Sequence, residues 1–389
     1  MPVSRRCLRW LAVSVALPAA LVVGPASAQR TFSSEDARRD ELPSMTSSHR
    51  SGNPPRAVPE PLVFGVYPGG AAGTVGPAGQ TRPEVPEART RALRRLRGGV
   101  RPFVLHLYES YTRPSDAAAV PPWLASEIAD YTTDGFRVEL VLAYRPAGRS
   151  GDVDGFTDFV RARVRQLAGD PGVALLQVTN EANVSGAPDA ADGAYPGARD
   201  ALVRGVIAAK DEARRRGRPG LRIGFNWAYQ RGATEAAFFS SLRARGGSAL
   251  AAAVDWVGVD AYPGTWGPAL AGGDLASAVR SATLDAMRTL RRTLLPRAGL
   301  ARARLHFSES GYPTGSGRSE AMQQTVLRAA VETVVAARAT YGVTDYRWFD
   351  LRDADTTDSS FESHYGLTRD DYSPKPAFFT YRDLIARHG

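Results

Sequence analysis

Two glutamates stand where chemistry could occur. Glu181 follows the run Leu175-Leu176-Gln177-Val178-Thr179-Asn180, and Glu309 closes Leu305-His306-Phe307-Ser308. Each run has the length and apolar character of a buried strand, so each acid falls at a strand end. A carboxyl pair at one sheet edge can cleave a glycosidic bond: one carboxyl protonates the leaving oxygen while the other, ionised, attacks the anomeric carbon. Taken singly, either residue could be a solvated or salt-bridged acid. Two of them at equivalent strand ends favour the catalytic role.

The elements that would position them recur along the chain. Short runs rich in Val, Ile, Leu and Phe lie at 62–67, 101–108, 137–144, 173–179, 221–227, 254–262, 304–309 and 344–350, each separated from the next by a longer helical pattern. Eight such units predict an α/β fold, a (β/α)8 TIM barrel, over 61–389. Near-continuous apolarity suits strands covered on both faces. Leu202, Val206, Ala209 and Ala213 recur at helical spacing before Arg214-Arg215-Arg216 and Gly217, a helix C-terminus. Ser319 can cap a helix carrying Val326, Ala330 and Val334 and ending near Gly342. An open doubly wound sheet is disfavoured, because Gly69-Gly70 lacks the spacing of a phosphate-binding turn.

A barrel of this kind carries its active site at the C-terminal strand ends. In strand order those ends offer Tyr67, then His106 with Glu109, Tyr144 with Arg145, and Asn180 with Glu181. The second half offers Asn226 with Trp227, Asp260 with Tyr262, Glu309, and Trp348 with Asp350. Polar and aromatic groups thus converge on one rim, which a packed core alone does not require. Asp260, Arg145 and Asp350 suit barrel-mouth ion pairs as well as they suit substrate contacts.

Outside the barrel, Arg5, Arg6 and Arg9 precede a short apolar stretch and the small-residue triplet Ala26-Ser27-Ala28. Residues 1–28 are therefore expected to be a secretion signal, by the general or the twin-arginine route, with no stable membrane insertion once it is cleaved. Residues 29–60, rich in Ser, Arg, Pro and Glu, read as a disordered linker. The chain has 389 residues, 43% hydrophobic and 23% charged, which suits a large soluble core. Cys7, in the signal, is the single cysteine, so a thiol nucleophile and a Cys-based metal site are not expected. The net charge of +9 comes from arginines scattered over many helices rather than a basic stripe, so no nucleic-acid partner is expected. Five histidines in no spaced cluster argue against a catalytic metal, and no cofactor is expected. Lys210 falls on a helix and Lys375 near the C-terminus, away from the strand ends where a Schiff-base amine would be needed. Ser308 and Ser310 lack the GxSxG pattern of a serine nucleophile.

Asn180-Glu181 on the fourth run, taken with Glu309-Ser310-Gly311-Tyr312-Pro313 on the seventh, resembles the clan A retaining glycoside hydrolases. Gly258-Val259-Asp260-Ala261-Tyr262-Pro263 is similar to their sixth strand. Gly366-Leu367, followed by Pro374-Lys375-Pro376-Ala377, resembles the closing segment of many members. The resemblance runs from about residue 62 to the C-terminus. It implies that Glu181 is the acid/base and Glu309 the nucleophile. Asn180 would bond the sugar 2-hydroxyl, Tyr262 would bond Glu309, and Trp348 would form a floor beneath the sugar. Trp227, His106 and Tyr67 are further substrate-binding candidates by their strand-end positions, and Trp266 lies just past one. The expected protein is a secreted hydrolase of a β-linked polysaccharide. A non-catalytic carbohydrate-binding barrel derived from such an enzyme is the competing expectation. Oligomeric state is not legible.

Overall fold

Eight strands form: β1 (Val63–Val66), β2 (Phe103–Tyr111), β3 (Arg137–Tyr144), β4 (Val173–Val178), β5 (Arg222–Ala228), β6 (Trp256–Ala261), β7 (Arg304–Ser310) and β8 (Val343–Trp348). Each pairs in parallel with its sequence neighbours, and β8 pairs with β1, which closes the barrel. This computed structural model describes residues 60–70, 82–149, 151–230, 232–270 and 272–389. The expected signal (1–28) and linker (29–60, except Glu60) lie outside the described residues. Among the described residues, no helix is long and apolar enough to cross a membrane.

The helices α1 (Pro86–Arg97), α2 (Pro122–Thr133), α3 (Val153–Gln166), α4 (Ala198–Arg215) and α5 (Ala233–Ala253) alternate with the first six strands. α6 (Leu275–Thr289) continues through a π-helical turn into the short α7 (Leu295–Ala298), and α8 (Glu320–Tyr341) and α9 (Pro376–His388) complete the outer ring. Local chemistry sets their ends. The Ser319 hydroxyl accepts from the Met322 N–H at 3.2 Å, and Gly342 closes α8 with φ 69°. α4 stops at Arg215 and the chain turns at Gly217, as its arginine run and glycine predict.

Along each strand, alternate side chains face the helices and the barrel interior. On β2, Phe103, Leu105 and Leu107 join the main core outside the barrel. Val104 packs inside with Leu175 and Trp256 to seal the base. Above that base the interior departs from the expected apolar filling. His106, Glu139, His306, Asp345 and Arg347, none more than 1% exposed, form a charged layer. Gly65 on β1 makes room for it: a Cβ there would lie 2.5 Å from Arg347 Cδ. β2 also runs beyond the expected end at residue 108. Glu109 faces outward and is held by the α3 residue Arg163 at 2.6 Å, so a polar residue continues the strand. His106 is thereby mid-strand rather than at the rim.

Candidate active site

The rim encloses a cleft of about 460 Å³, lined in part by Tyr108, Asn180, Glu181, Asp260, Tyr262, Glu309 and Phe349. Glu309 reaches it because the β6–β7 register shifts between Val259 and Asp260. That irregularity lets both Ser308 and Glu309 face the mouth, where strict alternation would send one of them outward. The Glu309 carboxylate accepts from the Tyr262 hydroxyl at 2.6 Å and from the Tyr108 hydroxyl. His106 Nε2 lies 3.7 Å from it, below. Burial opposes its charge. The His106 imidazole and the two tyrosine hydroxyls outweigh burial and hold the carboxyl below the usual glutamate value.

Glu181 is placed differently. β4 ends in a turn where Thr179 and Glu181 take φ of 65° and 46°, in the left-handed region that non-glycine residues seldom enter. The surroundings over-determine this turn. The buried Asp192 carboxylate accepts from the N–H groups of Tyr144 (2.6 Å) and Asn180 (2.7 Å). Asn226 Oδ1 accepts from the Glu181 N–H at 2.8 Å, and Asn226 Nδ2 donates to Asn180 Oδ1 at 2.7 Å. Arg145 braces the following loop by donating to the Asp189 and Ala190 carbonyls, with its Nε 3.6 Å from Asp192. Nothing among the described residues donates to the Glu181 carboxyl itself. Burial, then the charges of Glu309 and Asp192, push its pKa up to about 8 against the pull of Arg145.

Asp260 lies between the two glutamates, accepting from Ser308 Oγ at 2.6 Å and from Asn226 Nδ2. Burial and then the neighbouring charges of Glu309 and Glu181 raise its pKa well above the usual range. One oxygen from each of Glu181, Asp260 and Glu309 lies within 4.8 Å of the others. These three acids are the candidate metal ligands among the described residues. Yet each carboxylate oxygen of Glu309 and of Asp260 already accepts from a hydroxyl or amide donor. The arrangement suits proton transfer: a Glu309 whose donors favour its anion lies beside two acids whose pKa values are raised.

Solved structures with the same architecture include glycoside hydrolases. One is a family 39 glycoside hydrolase from Bacteroides cellulosilyticus, 15% identical with a TM-score of 0.55, over 84% of this chain and 64% of that one. Another is a family 1 β-glucosidase from Thermotoga maritima, 12% identical with a TM-score of 0.59, over 85% of this chain and 99% of that one. A third is a β-glucosidase from Exiguobacterium marinum, 14% identical with a TM-score of 0.55, over 86% and 99%. This chain has their fold. It spans less than two thirds of the family 39 protein. No protein-family model matches the sequence, and a comparison with curated protein sequences gives no match.

The structure brings Glu181, Glu309, Asn180 and Tyr262 together in the cleft and moves other expected residues away from it. Trp227 is fully buried outside the barrel, against Tyr229 and the α5 residue Phe239, at ring distances of 5.6 and 6.0 Å. Trp348 is likewise buried, 6.5 Å from the α9 residue Tyr381. Period two is the reason: Asn226 and Arg347 face inward, so the residue after each faces outward. Phe349 takes the floor position expected of Trp348. Tyr67 stacks behind Phe349 at 5.2 Å and meets the Tyr108 edge, so it buttresses the floor. His106 sits beneath Glu309, outside the cleft lining. Asp350 is buried behind the rim, where burial first, and then Asp353, raises its pKa well above the usual range. Trp266 lies at the cleft edge, half exposed, its Nε1 donating to the Tyr365 hydroxyl at 2.8 Å. Tyr108, Asp192 and Phe349 are functional positions absent from the sequence assignment. The period-two count that places His106 inward would also have placed Tyr108 there. Asp192 lies in a loop and carries no such signal.

Proposed function

We propose that the chain is a secreted retaining glycoside hydrolase acting on a β-linked carbohydrate polymer, with Glu309 as nucleophile and Glu181 as acid/base. The supporting observation is the contrast within the pair: Glu309 is surrounded by donors that favour its anion, while Glu181, beside it, is held protonated. Their approach within 4.8 Å fits the short separation of retaining enzymes, about 5–5.5 Å, rather than the roughly 6.5–9.5 Å that an inverting enzyme leaves for water.

In the first step Glu309 attacks the anomeric carbon as Glu181 gives its proton to the departing oxygen. Glu309 loses its charge on forming the glycosyl ester. One of the charges that raised the Glu181 pKa is then gone, and in the second step Glu181 can take a proton from water as its oxygen attacks the anomeric carbon and displaces the Glu309 carboxylate. Tyr262 and Tyr108 hold the orientation of the carboxylate, with one hydroxyl on each oxygen. Asn180 gives one N–H to the Ala190 carbonyl at 2.9 Å, which leaves the other N–H for the sugar 2-hydroxyl. Phe349 offers a flat apolar face to the ring.

A panel of β-glucans, mannan, xylan and galactan tests this, with the product anomer followed by NMR. Retained configuration is expected on at least one polymer, and an inverted product overturns the assignment. Binding without hydrolysis by the wild type would establish the carbohydrate-binding barrel instead. Intact mass of exported protein tests secretion, with a start near Gln29 expected; a full-length chain held in the membrane overturns it.

A further inference from the structure

The charged layer beneath the cleft remains unexplained by the mechanism. Barrels of this class are ordinarily filled by branched apolar side chains. Burying ion pairs in place of hydrocarbon seldom gains stability, because each charge must shed its water. Here the layer is continuous. His306 Nε2 lies 3.1 Å from Asp345, and Asp345 accepts from Arg347 at 2.9 Å. Arg347 lies 3.1 Å from Glu139, Glu139 lies 3.3 Å from His106 Nδ1, and His106 Nε2 lies 3.7 Å from Glu309. The chain ends on the proposed nucleophile.

Charge balance decides what His106 contributes. Glu139, Asp345 and Glu309 bring three carboxylates. Arg347 brings one guanidinium, and Arg222, 3.9 Å from Asp345 at the lower edge, brings another. One positive charge is missing, and His106 lies between the two carboxylates that have no guanidinium to themselves. Resting on the assignment of Glu309 as nucleophile, we propose that His106 is an imidazolium at neutral pH, held between Glu139 and Glu309, a positioning residue that fixes the ionisation of Glu309.

The groups facing His106 agree with this. Glu139 approaches from β3 and Glu309 from β7, while Arg347 on β8 stands behind Glu139. On its own strand the Tyr108 ring meets it edge-on at 4.9 Å. From β1 the layer receives only Gly65. Burial opposes a charge on His106, but the two carboxylates raise its pKa to about 9. In the same layer burial drives His306 down to about 4, despite Asp345. Two equally buried histidines are thus driven in opposite directions, because His106 faces two carboxylates at 3.3 and 3.7 Å whereas burial of His306 is joined by the nearby charges of Arg347 and Arg222.

Two measurements test the proposal. With five histidines, the imidazole signals can be assigned through bonds to the backbone and followed by NMR titration in the wild-type chain, so the first needs no altered protein to fold. His106 is expected to remain cationic through pH 7 while His306 is neutral. A neutral His106 at pH 7 overturns the proposal. The second compares Glu139→Gln with the wild type, its fold checked by circular dichroism. The His106 midpoint should fall by at least one pH unit, whereas His106→Gln, which removes the cation outright, should move the acid limb of kcat/KM upward with KM little changed at the optimum. An unmoved acid limb and His106 midpoint overturn it. Failure of the nucleophile assignment looks different: the wild type would hydrolyse none of the polymers, while His106 and the Glu309 carboxyl still titrated as a coupled pair.

Discussion

The ends of β4 and β7 present the same residue type to one cleft and treat it in opposite ways. At β7 the side chain is fixed: two tyrosine hydroxyls and an imidazole converge on the Glu309 carboxylate. At β4 the backbone is fixed, through Asp192 and Asn226, and among the described residues the Glu181 carboxyl has no donor. A nucleophile must keep its charge and its direction. An acid/base must change its protonation and serve first the leaving oxygen and then water. Environment, more than residue identity, assigns the two roles.

The most severe way to break the contrast is Glu309→Ala. Hydrolysis should fall by roughly 10⁴-fold or more, the scale of losing a covalent partner, with the barrel folded by circular dichroism. Glu309→Gln sharpens it, because removing the charge should bring the Glu181 titration down from about 8, read by carboxyl NMR. An unmoved Glu181 midpoint would mean that burial and Asp192 set it without Glu309.

Glu181→Gln should cost about 10²–10⁴-fold, most on substrates with poor leaving groups. Azide should rescue the second step with retained configuration. In the wild type, activity should be lost as pH rises through about 8, where Glu181 loses the proton it must donate. Loss on the acid side should follow protonation of Glu309, below the ordinary glutamate value. Rate against pH on a single polymer gives both limbs, which belong to the coupled pair.

Tyr262→Phe removes one hydrogen bond to an anion, a cost of about 1.5–3 kcal/mol, or roughly 10–100-fold in kcat. The acid limb should also move upward. The smallest effects separate the floor from the wall. Phe349→Ala should raise KM several-fold to about tenfold, on the scale of burying one apolar ring. Trp348→Phe should leave KM unchanged and lower stability by about 1–3 kcal/mol in urea melts. A raised KM in Trp348→Phe would return that residue to the cleft.

The eight-unit pattern, the strand identities and the placement of both glutamates at strand ends were legible in the sequence, because apolar runs and helix signals are local. Ser319 and Gly342 marked α8 for the same reason. Facing was legible in principle: period two sends Trp227 and Trp348 outward and Tyr108 inward, whereas attention to residue type alone favoured the tryptophans. The shift between β6 and β7 that turns Glu309 into the mouth was not legible, since it depends on how two strands pair. Nor was the left-handed turn at Glu181, which Asp192 holds from a loop. The charged layer lay furthest from view. His106, Glu139, His306, Asp345 and Arg347 come from four strands and look like isolated interruptions of apolar runs. The amino-acid sequence alone determined a barrel and two acids at one rim. Only closure of the sheet brought those five side chains into one buried interior beneath Glu309, where charges interact more strongly than at the surface.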